Sequence, residues 1–166
     1  MDYVLWQRDA FGTSSEWGQA ELTHWRTALA GSPDEITVAA DRARPTVLGR
    51  RGEVVNFTVS AARRGALTRL AEQADATEFM VYQAVLAALL HKLGGGPDIA
   101  IGSPVAARVD PACADLVGLF ANMVVLRNDV SDDPTLSTLL RRSRDAVLDA
   151  FAHQEDRKST RLNSSH

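Results

Sequence analysis

Cysteine is almost missing from this chain. The single Cys113 among 166 residues excludes an intramolecular disulfide. Histidine is scarce as well. His24, His91, His153 and His166 have no local partner at ligand spacing, which argues against a zinc site, and no metal is expected. No apolar run is long. The longest, residues 79–90, contains Gln83 and falls short of the roughly 20 residues that a membrane span needs. The N-terminal stretch MDYVLWQR has no basic start, apolar core or cleavage site, so nothing points to secretion and a cytoplasmic location is expected. Basic charge is not in excess either. The net charge is −3, so neither nucleic acid nor an anionic membrane is an expected partner.

What is present is ordinary globular material. Hydrophobic residues make up 45% and charged residues 23%, which excludes disorder over most of the chain. At this length one domain is expected, burying about two-thirds of its unfolded surface. Residues 156–166, DRKSTRLNSSH, depart from the rest. The body is rich in alanine and uses Arg far more than Lys, whereas this stretch has no alanine and is mostly Ser, Arg, Asn and Thr. It resembles the translation of a sequencing-adapter read and is expected to be a disordered tail outside the fold. Without its one acid and three bases the body carries −5 rather than −3.

Periodicity divides the body into alternating elements. Trp17, Leu22, Trp25, Ala28 and Leu29 mark a helix over 16–30, stopped by Gly31-Ser32-Pro33. Residues 41–52 read as an extended connection, and 53–60 alternate around Val55, Phe57 and Val59 like a strand. Leu67, Leu70 and Ala71 give 63–74 an amphipathic helix. Thr77 is a plausible N-cap for a helix over 79–93 that is apolar nearly all round and so expected to be buried. A short strand over 98–104 and a long one over 116–130 follow. Asp133-Pro134 then opens a last helix, faced by Leu136, Leu139, Leu140, Val147, Leu148 and Phe151. Helices alternating with separated strands make the fold class α/β.

Catalytic motifs are sparse. No G-x-S-x-G occurs, and Gly94-Gly95-Gly96 follows a helix rather than the strand a phosphate loop requires. His24 reads as a half-exposed helix residue, and His91 and His153 as imidazoles at helix ends. Cys113 has no neighbouring base and reads as an inert thiol. Arg141, Arg142 and Arg144, countered by Asp145 and Asp149, read as a solvated helix face. Two segments resist such readings: IGSPVAAR (101–108), and LVGLFANMVVLR (116–127), where Asn122 interrupts an apolar strand. A buried Asn needs partners for its amide, from backbone or from something it orients. The residues themselves leave both roles open.

These two segments resemble the G-x-P-V-A-G-R and V-G-F-F-V-N-T-L-V-L-R motifs of nonribosomal peptide synthetase condensation domains. Three further pieces come in the family's order. DYVLWQR resembles Y-x-D-Y-A-x-W-Q. HWRTALAGSPDEITVAADRARP resembles Y-W-R-x-x-L-A-G … L-P-x-D-R-P-R-P. AFAHQED resembles the opening of H-Q-D-x-P-F-E. Departures are Ala107 for Gly, Leu119 for Phe, and Ala121-Asn122-Met123 for V-N-T.

The resemblance implies a chloramphenicol-acetyltransferase-like fold of two lobes facing across a tunnel. Residues 1–155 would be a partial condensation domain, with the end of the first lobe at about 1–50 and part of the second at about 51–155. It implies amide-bond formation between thioesters carried on the phosphopantetheine of carrier proteins, with no cofactor bound directly. Implied partners are those carriers and the missing first lobe. The family's H-H-x-x-x-D-G motif, whose second His is the catalytic one, is absent, so the fragment is expected to be inactive and no catalytic residue is assigned. Asn122 is implied as a supporting hydrogen bond at the tunnel. Ser103 and Arg108 are implied to position the pantetheine arm or the loop beside it. Two alternatives are a coenzyme A-dependent acyltransferase of the same fold and a non-catalytic docking module of a synthetase.

Overall fold

A computed structural model describes residues 3–12, 14–43, 45–47, 49, 52–106, 115–118 and 120–154. Arg108, Cys113 and the 156–166 tail lie outside them. In chain order the elements are α1 (Tyr3–Phe11), α2 (Glu16–Ala28), α3 (Ala61–Gln73), α4 (Glu78–Leu90), a wide π-turn (His91–Gly95), β1 (Asp98–Ala106), β2 (Ala121–Asp129) and α5 (Leu136–Ala152). They divide into two compact units. One holds Met1–Asp34, Ala100–Arg127 and Asp145–His166, the other Glu35–Ile99 and Asn128–Arg144.

In the first unit the aromatic opening of the chain is helical. Tyr3 packs against Trp6 and Phe120, with ring centroids 5.6 and 4.9 Å apart. Ser15 caps α2, its Oγ accepting from Gly18 N–H at 2.9 Å. The buried face of α2 is Gly18, Glu21 and Trp25. Trp17, expected inside, is half exposed, so the true face is rotated and carries a carboxylate.

In the second unit Ser60 caps α3 and Thr77 caps α4, the latter as expected. Thr68 Oγ1 donates to Glu78 Oε1 at 2.8 Å and ties the two helices. The expectation that α4 is buried all round is corrected. Met80, Val81, Ala84 and Ala87 are buried, but Phe79, Tyr82, Val85, Leu86 and Leu89 are exposed. Apolar composition makes burial favourable, yet only one face of α4 packs against neighbours among the described residues. Gly94 and Gly96, both at positive φ, turn the chain after α4, and His91 Nδ1 lies 2.8 Å from the Gly96 carbonyl. A side chain at Gly95 would collide with the Leu90 carbonyl and with Ile36.

β1 and β2 pair with each other. Val130 N–H donates to Pro97 O at 2.7 Å, and Gly102 lies against Met123. Numbers therefore rise along one strand as they fall along the other, and the pair is antiparallel. Ile99, Ser103 and Val105 share its buried face with Asn122, Val124, Leu126 and Asn128. The long strand begins at Ala121 rather than 116; Leu116 and Val117 are exposed. Residues 53–60 do not form a strand. Val55 and Phe57 are more than four-fifths exposed. Alternation marks a face that can be buried, but a strand also needs a ladder partner, and none pairs with it among the described residues.

Helix α5 starts later than expected. Asp132 and Asp133 have φ of 64° and 46°, which an N-cap in extended geometry does not adopt. Thr135 takes that role, its Oγ1 accepting from Thr138 N–H at 3.3 Å. Leu139, Leu140, Ser143, Val147 and Ala150 form the buried face, while Leu136, Leu148 and Phe151 are exposed. Ser143 Oγ donates to buried Asn128 Oδ1 at 2.7 Å, and Asn128 Nδ2 reaches Ile99 O. The arginine cluster is also corrected. Arg142 donates to Asp129 O and pairs with its carboxylate, and Arg144 binds both the carbonyl and carboxylate of Asp75. Asp129 ends β2 and Asp75 follows α3, so both arginines reach beyond their own helix.

The apolar face of α4 and the exposed Val54, Val55 and Phe57 have a direct consequence in solution, because exposed apolar patches promote association. The 166-residue chain is expected to self-associate and to bind a hydrophobic dye. A monodisperse monomer by light scattering, with a sharp thermal transition and no dye binding, would contradict this.

Candidate functional site

The last turn of a helix leaves carbonyl groups without intrahelical donors. In the first unit, side chains from distant segments reach carbonyls at and just past two helix ends. Arg127, the last residue of LVGLFANMVVLR, donates through Nη1 to Ala28 O at 2.8 Å and Ala30 O at 2.9 Å, closing the end of α2. Trp25 Nε1 donates to His153 O at 2.9 Å, just past the end of α5. Asn122 Nδ2 donates to the next carbonyl, that of Gln154, and Asn122 Oδ1 accepts from Met123 N–H at 2.9 Å. Three polar side chains thus join HWRTALAG, LVGLFANMVVLR and AFAHQED into one cluster.

Titratable groups gather at the same place. His24 and His153 stack with ring centroids 3.5 Å apart and planes 12° from parallel. His153 Nδ1 lies 2.8 Å from Oε1 of buried Glu21, so that nitrogen carries the proton and donates. His24 Nε2 lies 3.3 Å from Asp149 Oδ2, close but without hydrogen-bond alignment. Trp25 meets the His24 ring edge-on at 5.4 Å.

Of the residues expected at a site, Ser103 and Asn122 lie on the buried face of the strand pair, and Arg108 falls outside the described residues. Both functions of the Asn122 amide, donor and acceptor, are engaged by backbone. Glu21, Trp25, Arg127 and Asp149 were not expected. The usable signal was Glu21, a carboxylate at the helical spacing of Gly18 and Trp25. His24 and His153 are 129 positions apart, so no local spacing could pair them.

Comparison with known proteins identifies the arrangement. A family model described as the condensation domain matches residues 1–156. The chain belongs to the condensation-domain family. CymA of Salinispora arenicola (strain CNS-205), a probable nonribosomal peptide synthetase, is 47% identical over 156 residues, covering 92% of this chain and 2% of CymA. The X-domain from teicoplanin biosynthesis, seen alone and in complex with OxyB, matches at 31% identity with TM-scores of 0.87 and 0.86, over 96% of this chain and 36% of that one. The first condensation domain of the CDA synthetase shares the fold at a TM-score of 0.74 and 20% identity, over 95% of this chain and 33% of its own. The fold is therefore the chloramphenicol-acetyltransferase-like α/β fold of condensation domains, of which this chain spans about a third. No helix among the described residues is long and apolar enough to cross a membrane.

Arg127 is the most exacting donor in this condensation-domain cluster, since one guanidinium serves two carbonyls. In a domain extended to its full length, Arg127→Gln should lower stability by about 1–3 kcal/mol, the cost of stranding such groups, with the loss read from denaturant midpoints. An unchanged midpoint would show that water replaces the guanidinium.

Proposed function

We propose that this chain is part of a condensation domain that joins two carrier-bound substrates through an amide bond. The observation that carries the reading is the family match over 1–156, with three of the motif segments fastened side chain to backbone in the first unit. In the reaction, the amine of one aminoacyl thioester attacks the carbonyl of the other. A C–N bond forms, the C–S bond breaks, and the displaced thiol takes the proton that the amine loses. Such a step needs a base or dipole on the amine and donors for the tetrahedral oxyanion. The H-H-x-x-x-D-G histidine, which this sequence does not contain, supplies the first. Residues 1–50 belong in this reading to the first lobe and 51–155 to the second. Ser103 and Arg108 position the pantetheine arm or its loop, and Asn122 supports the tunnel wall. The partners are carrier proteins in the cytoplasm, and phosphopantetheine reaches the site on them.

The resemblance to the X-domain supports a second reading, in which the parent domain docks an enzyme and forms no bond; the X-domain itself is seen bound to OxyB. A parent domain extended upstream separates the two. An intact His motif and dipeptide formation from loaded carriers, read by mass spectrometry, support condensation. A degraded motif without product supports docking.

The 166-residue chain alone is expected to give no dipeptide with loaded carriers; product above the enzyme-free control would overturn that. In the extended domain, Asn122→Ala tests the motif asparagine. If Asn122 supports the reacting thioester, the single-turnover rate falls by up to about 100-fold, as for one oxyanion donor. If its only task is to bind the Gln154 carbonyl, stability falls by about 1–3 kcal/mol and the rate per folded molecule stays the same. We expect the rate to fall; an unchanged rate with a lowered melting temperature would make Asn122 a structural residue.

A further inference from the structure

We propose that His24, His153 and Asp149, backed by Glu21, form a binding site for a divalent transition-metal ion of the zinc class. One ligand atom from each of the first three lies within 4.8 Å of the other two. They come from α2, from the end of α5 and from its last turns, all within the first unit. Neither the condensation reaction nor the docking reading uses them.

Each member of the cluster has a property that a metal would explain. His24 Nε2 is enclosed by protein and has no hydrogen-bond partner. A polar atom removed from water without a partner is costly, and a cation on that lone pair would remove the cost. Glu21 is buried, and its Oε1 holds His153 Nδ1 at 2.8 Å. That bond fixes the tautomer and leaves Nε2 of His153 with the free lone pair. It is the carboxylate–imidazole support that orients metal-binding histidines. The other oxygen, Glu21 Oε2, is also buried without a partner. Glu21 and Asp149 place two carboxylates beside the two imidazoles, and a dication would offset their charge. Imidazole with one carboxylate suits Zn2+ and its neighbours better than Mg2+ or Ca2+. Asp149 is more than half exposed, so the fourth position opens to water.

The stacked rings set one condition. Lone pairs in nearly parallel planes do not meet at one point, so one imidazole must rotate out of the stack when the ion binds. His24 has that freedom, being one-fifth exposed and lacking a hydrogen bond at Nε2. His24 also stands where the H-W-R segment departs from the Y-W-R of the motif it resembles. That departure supplies the test variant, since His24→Tyr restores the motif residue and should fold.

The test is titration of the 166-residue chain with Co2+, followed by visible absorption, and with Zn2+ in competition. Wild type is expected to give the intense bands of tetrahedral cobalt, bleached by Zn2+. His24→Tyr should weaken binding by at least about 100-fold. Glu21→Gln should weaken it by about 10–100-fold, the usual effect of removing such support. His91→Ala and His166→Ala, which alter the other two histidines, should bind as wild type does. Loss of the His24–His153 ring-current shift on Zn2+ addition would show the rotation. Equal binding by wild type and His24→Tyr, or only the weak bands of hydrated cobalt, would overturn the proposal.

Discussion

Helix C-termini expose carbonyl oxygens that nothing within the helix can satisfy, and the first unit of this protein is organised around that deficit. One such group is Ala28 O, the last of α2, and Ala30 O, His153 O and Gln154 O lie just past the ends of α2 and α5 and need donors as well. Arg127, Trp25 and Asn122 supply the donors. Two of the three donors come from β2, so one strand fixes where both helix ends lie. The pairing is demanding because the donors are aligned only if β2 is in register. A slip of one residue would send Asn122 and Arg127 to opposite faces of the strand from those they now occupy. The hydrogen bonds and the strand register therefore specify each other.

Much of the architecture was legible in the sequence, and the failures share a cause. Ser/Thr caps and glycine stops are local chemistry, so Thr77 and the Gly31 and Gly94–Gly96 turns appear where they were expected. Burial is not local. The alternation of Val55, Phe57 and Val59 and the all-round apolarity of α4 both indicate surface that can be buried, but neither says whether a partner is at hand. The opening of α5 shows the same limit on a smaller scale. Asp133-Pro134 has the composition of a helix start, and the backbone of Asp133 decides otherwise.

The candidate site was legible in another way. Asn122 drew attention because it interrupts an apolar run, and the fold indeed buries it and occupies its amide. Arg127 and Trp25 lay within the motif segments, but nothing in their own surroundings marked them as donors. The histidine pair was invisible. His24 and His153 meet only because α2 and the end of α5 are brought together, and the single clue was the acidic Glu21 among the buried positions of α2. In this chain, three motif segments are therefore joined by a framework of side-chain-to-backbone fastenings.

The choice of backbone as acceptor has an evolutionary consequence. A carbonyl is the same whichever residue carries it. Substitution at position 28, 30, 153 or 154 leaves these accepted contacts in place, whereas 25, 122 and 127 cannot change without losing a donor. Pairwise substitution patterns would leave no trace of these contacts, since they constrain the side chain on only one side of each pair. Ala30, His153 and Gln154 nonetheless stand at motif letters, so their side chains answer to other demands, as the contact between His153 and Glu21 illustrates.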